Sequence, residues 1–87
     1  MSTIEDLREK LGQLVADTAE EVEALGAARQ NLSDKQSEIN EEISSSESGR
    51  YVNESFSSAL TAIEEAIEKL NTAAQTAEDY SQTLIDS

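Results

Sequence analysis

Cysteine, histidine, tryptophan and proline are all absent from the sequence. Each absence closes off a class of chemistry. Without cysteine there is no thiol nucleophile, disulfide or thiolate ligand, and without histidine the imidazole acid–base roles and the usual zinc sites go too. With no proline, nothing forbids a long uninterrupted helix. Aromatics are only 3% of the chain, and they are Tyr51, Phe56 and Tyr80. Positive charge is scarce as well: 6 basic residues stand against 19 acidic ones, a net charge of −13. Nucleic acid requires a basic footprint and an anionic membrane surface attracts cations, so this balance argues against both. No apolar run approaches the length of a membrane span. The opening MSTIEDLREK is charged and helix-forming with no apolar stretch, so a general secretory signal peptide is not expected there.

What the chain does contain is helical periodicity. Its 87 residues suffice for a single domain over 1–87, and a chain so short buries a modest fraction of its surface, which makes the monomer marginal. Its bulky apolar residues are almost all Leu, Ile and Val, with many Ala, a composition suited to helix-on-helix packing. Ile4, Leu11, Thr18, Leu25, Leu32 and Ile39 recur at seven-residue spacing. Leu7 and Leu14 fill the companion position early, after which it slides by one residue to Val15, Val22 and later Ile43. A seven-residue repeat on a 3.6-residue helix drifts in this way. Ser2 or Thr3 is the expected N-cap, with Glu5 and Asp6 in the first turn where the helix dipole favours them. The pattern predicts a helix over about 3–43.

A second pattern runs over about 51–85 and is broader. Phe56, Ile63, Leu70, Ala77 and Leu84 form one row, and Leu60, Ile67, Ala74 and Ser81 the next. Val52, Ala59, Ala66, Ala73 and Tyr80 form a third on the flank. Together they make an apolar stripe about 120° wide, more than one neighbouring helix covers. Between the two patterns, SSSESG supplies a turn over 44–50, and so short a connection makes antiparallel neighbours. The expected fold is therefore all-α: an antiparallel helical hairpin that pairs further into a four-helix bundle. Gly12 and Gly26 lie inside the first helix, which costs about 1 kcal/mol each relative to alanine. Either the long helix tolerates them or another backbone approaches closely.

No catalytic, cofactor-binding or metal site is expected. Glu20, Glu21 and Glu23 cluster, as do Glu64, Glu65 and Glu68, but both groups lie off the apolar rows and read as solvated helix faces. A di-iron bundle would need Glu-x-x-His motifs, the calcium-loop pattern is missing around Gly49, and no serine has a base to activate it. Thr18 and Ser81 interrupt the apolar rows, either as tolerated polarity or as residues that fix register.

The layout resembles the WXG family of type VII secretion substrates, the small early-secreted-antigen-like helical hairpins. That family carries W-x-G in its turn; here the corresponding residues are Glu47, Ser48 and Gly49, with the glycine kept and Glu in place of Trp. Beyond it, RYVNESFSSAL puts Tyr51, Val52, Phe56, Ala59 and Leu60 where the family places small and aromatic core residues. The family's C-terminal export signal, Tyr with an acidic residue four positions later, is absent as written, because Tyr80 is followed by Leu84. The resemblance implies a divergent branch whose members work in pairs, one partner supplying the signal for both, or accompany a toxin by packing on its helical N-terminal domain. It also implies a cytoplasmic protein with export, if any, by a dedicated type VII-like route.

Glu47, Ser48 and Gly49 are thus the expected inter-helix turn. Leu11, Leu14, Leu25 and Leu32, with Phe56, Leu60, Ile63, Ile67, Leu70, Ala74 and Tyr80, are the expected core and partner interface. The expected partner is a protein, a different and less acidic helical hairpin or a toxin's helical domain, because a homodimer would join two chains of −13 each; the homodimer stands as the alternative. The competing function is a general coiled-coil scaffold or adaptor with no export role.

Overall fold

The computed structural model describes residues 3–86. They form two antiparallel helices, α1 (Ile4–Ile43) and α2 (Glu47–Asp86), of 40 residues each. At 1.5 Å per residue each helix is about 60 Å long, which accounts for principal extents of 62 × 19 × 15 Å. The chain is an all-α hairpin.

Helix α1 begins where local chemistry satisfies its free amides. Thr3 is the N-cap, in extended backbone, and its Oγ1 accepts from the Asp6 amide at 3.0 Å while the Thr3 amide donates to Asp6 Oδ2 at 3.4 Å. This reciprocal capping box satisfies donors that the helix cannot. Ser2, the other candidate cap, lies outside the described residues. Along the solvent side, Gln13, Gln30 and Gln75 each donate to the Asp four residues on, at 2.8, 2.9 and 3.0 Å.

The reversal is tighter than the sequence predicts. Helix α2 opens at Glu47, not 51, so Glu47, Ser48 and Gly49 form its first turn and the link narrows to residues 44–46. Ser46 makes the early start workable. Its Oγ accepts from the Gly49 amide at 3.0 Å and its carbonyl from the Arg50 amide at 3.1 Å, the bonding of an N-cap serine. Gly49 is buried against the end of α1, where a Cβ would overlap the Ile43 carbonyl and lie 2.9 Å from the Ile43 Cβ. Its backbone φ is not positive. Glycine is required here for close approach, and not for a left-handed turn.

Between the helices runs a single seam. From α1 it is lined by Leu7, Leu11, Val15, Thr18, Val22, Leu25, Leu32 and Ile43, and from α2 by Leu60, Ile63, Ile67, Leu70, Ala74, Ala77, Ser81 and Leu84, all half-buried. The one-residue slide of the α1 pattern is visible in this packing, since Leu14 is 54% exposed while Val15 takes the seam. Among the described residues no hydrophobic side chain is fully buried. The radius of gyration is 19.4 Å, against about 12 Å for a compact domain of this length. The accessible surface is 6527 Å², against about 5,000 Å² for a compact protein of this mass. Two helices have a seam but no interior.

Candidate interaction surface

The hairpin has two broad sides, and they differ. One is polar and internally bonded. There the Arg29 guanidinium pairs with Glu64, and Gln36 Nε2 donates to the Asn53 carbonyl at 3.1 Å and to Ser57 Oγ at 3.3 Å. Asn53 Nδ2 donates to Asn40 Oδ1 at 2.7 Å. The Arg29 Nε and Asn53 Oδ1 are enclosed without a hydrogen-bond partner, so this polar layer is only partly satisfied. Such residues in a helical seam cost stability and discriminate against shifted registers. Apolar patterning does not single them out, yet the signal is present: the seven-residue row through Val15, Val22 and Ile43 runs through 29 and 36.

The opposite side is apolar and open. Near the turn, Leu32, Lys35, Gln36, Glu38 and Ile39 of α1 and Val52, Asn53 and Phe56 of α2 line a shallow groove, so the Gln36–Asn53 pair reaches through to this side and Glu38 puts a carboxylate on its rim. Phe56 is 43% exposed and Ile39 equally so. Farther along α2 the row continues through Ala59, Ala66 and Ala73 to Tyr80, which is 51% exposed. Of the expected interface residues, Leu11, Leu25, Leu32, Leu60, Ile63, Ile67, Leu70 and Ala74 lie in the seam, while Leu14, Phe56 and Tyr80 are exposed. Of the five residues beyond the turn expected in the core, Leu60 alone is half-buried. Tyr51, Val52, Phe56 and Ala59 are exposed, and the Tyr51 hydroxyl donates outward to Glu47 at 3.2 Å. A two-helix seam takes two rows from each helix, and the Val52 and Ala59 row is the third.

The remaining candidates resolve simply. Glu20, Glu21 and Glu23, and Glu64, Glu65 and Glu68, are exposed, and among the described residues no carboxylate cluster is placed to hold a metal ion. Thr18 is half-buried and its Oγ1 donates to the Leu14 carbonyl at 2.8 Å, which satisfies the hydroxyl within its own helix. Gly12 and Gly26 have open space where a Cβ would be, so no backbone of this chain approaches them. No helix among the described residues is long and apolar enough to cross a membrane. What the arrangement offers chemically is an exposed apolar surface. Compared with protein-family models, curated proteins and solved structures, the chain matches none.

Proposed function

We propose that this protein is a non-catalytic helical-hairpin adaptor of the WXG type, acting in type VII secretion as the partner of another hairpin or of a toxin's helical N-terminal domain. The observation that carries the proposal is the unmet half of its apolar surface. A 40-residue α2 bears three apolar rows, two of them spent on α1; Val52 and Tyr80 of the third remain exposed, and so does Phe56 at the turn end of a seam row. Large exposed apolar surface on a small chain marks a protein-binding face. Gly49 at the reversal supports the WXG assignment, because this tight turn tolerates no side chain there. With no acidic residue four positions after Tyr80, the partner is the member that supplies the export signal.

Two measurements in the native host test this reading. Affinity capture followed by reconstitution from purified components is expected to give a defined complex with a second helical protein, melting above either component alone. Deletion of this chain is then expected to stop that partner's appearance in the culture medium. A stable complex whose partner is still exported normally would remove the secretory role and leave a general helical scaffold.

A further inference from the structure

We infer that the link over residues 44–46 is a hinge about which two chains exchange arms. Each chain opens into one continuous helix, and the two lie antiparallel, remaking the α1–α2 seam twice between them. The inference goes beyond the secretory proposal and does not depend on it. It starts from how little stops α1. Among the described residues none has a positive φ, so α1 lacks the left-handed residue that commonly closes a helix. Its C-cap, Ser44, keeps right-handed helical torsions (φ −71°, ψ −12°), and the Ser44 amide donates to the Asn40 carbonyl at 3.0 Å, as in a helix that continues. The chain has no proline, and no basic side chain in the last turn of α1 meets the helix dipole there. The reversal thus rests on Ser45 and Ser46, and a link this short favours exchange of arms between chains.

The apolar pattern carries straight through the hinge. The row that runs at seven-residue spacing from Ile4 to Ile39 continues in phase through Ser46 and Asn53 to Leu60, Ile67, Ala74 and Ser81 of α2. No member of it is charged, and all but Ile4, Ile39 and Ser46 are half-buried in the hairpin. A link between two independent helices has no need to preserve this phase. The companion rows lie on either side of it, with Val22 and Ile43 in α1 and Ile63 and Leu70 in α2. An opened chain therefore bears one seam-forming stripe along its whole length. The exchanged pair keeps the Arg29–Glu64 ion pair and the bonds of Gln36 and Asn40 to Asn53, now between chains. Charge does not oppose it either. The pair is still a rod two helices thick, with twice the hairpin's charge over twice its length, so the repulsion per unit length is that of the hairpin. At the hinge, unmet carbonyls of α1 and amides of α2 become helix bonds, and Gly49 is released from Ile43. The opposing cost is the freedom lost when two chains join, so exchange grows with concentration.

The test follows the full-length chain by sedimentation and small-angle X-ray scattering over a wide concentration range. Dilute protein is expected to be the 62 Å hairpin. Concentrated protein is expected to contain a two-chain species about 125 Å long, the length of one helix over 4–86. Glu47→Pro separates the two forms. Position 47 is the first of α2, where the hairpin accepts proline and a continuous helix does not. This variant is expected to lose the long species while circular dichroism keeps the helical content of the hairpin. Gly49→Ala acts the other way, because its methyl group meets the Ile43 carbonyl only in the reversed chain. It is expected to favour the long species at least about tenfold. A wild type with no long species at any concentration would overturn the inference. So would a two-chain species no longer than the hairpin, a long species that survives Glu47→Pro, or one that Gly49→Ala fails to increase. Each of these results would leave binding to a different helical partner, measured by the reconstitution above, as it stands.

Discussion

Gly49 and the two helix-interior glycines make opposite demands on the backbone. At Gly49 a methyl group would collide with the Ile43 carbonyl, a backbone group that cannot yield as the end of a flexible side chain could. Gly49→Ala is expected to cost about 1–3 kcal/mol, read as a lowered Tm in a circular-dichroism melt. An unchanged Tm would mean that α1 ends differently from the arrangement described. At Gly26 the space for a Cβ is empty, so Gly26→Ala is expected to stabilise by about 0.5–1 kcal/mol through helix propensity. For a chain of this size that corresponds to a Tm rise of about 4–8 °C per kcal/mol. A fall instead would place another chain's backbone against α1 at that point. The sequence marked Gly49 as a turn residue but not the reason for it. That reason is a contact between residues 43 and 49 that exists once the chain has reversed, and the serine-rich link could equally have held a longer loop.

At the scale of the helices, the two elements were legible because their apolar rows recur without interruption and no proline breaks them. The one-residue slide from Leu14 to Val15 was legible for the same reason, as it follows from the mismatch between 3.6 and 3.5 residues per turn. What periodicity could not settle was which two of three neighbouring rows on α2 would face α1. All three are apolar, and packing chose the two containing the larger aliphatic residues Leu60, Ile63, Ile67 and Leu70 over the alanine row. That choice has a measurable consequence. Leu70→Glu inserts a charge into the half-buried seam and is expected to unfold the hairpin, removing helical signal and association together, whereas Glu65→Lys on the exposed face is expected to change stability by less than about 0.5 kcal/mol. Full helicity in the Leu70→Glu protein would show that the seam is misassigned. At the other end of α1, Thr3→Ala removes the side-chain half of the capping box and is expected to cost about 1 kcal/mol. Faster hydrogen exchange confined to the first turn would separate this loss from global unfolding.

The whole molecule is a rod that has exchanged an interior for a face. With no fully buried hydrophobic side chain among the described residues, the two helices hold one another by half-buried apolar contacts and a few polar bonds across the seam, and the net charge of −13 works against the compact state. Both facts make stability a property of conditions as much as of the chain. Anything that binds the folded hairpin and not the unfolded chain raises its melting temperature by mass action, so the Tm is expected to climb as protein concentration increases. Salt should act in the same direction. One ion pair across the seam, Arg29 with Glu64, is exposed enough to contribute little, while the surplus carboxylates repel over distances that added salt screens. Raising ionic strength is therefore expected to increase both Tm and the fraction associated, and a fall in either would mean that attraction between opposite charges, and not apolar contact, holds the assembly together.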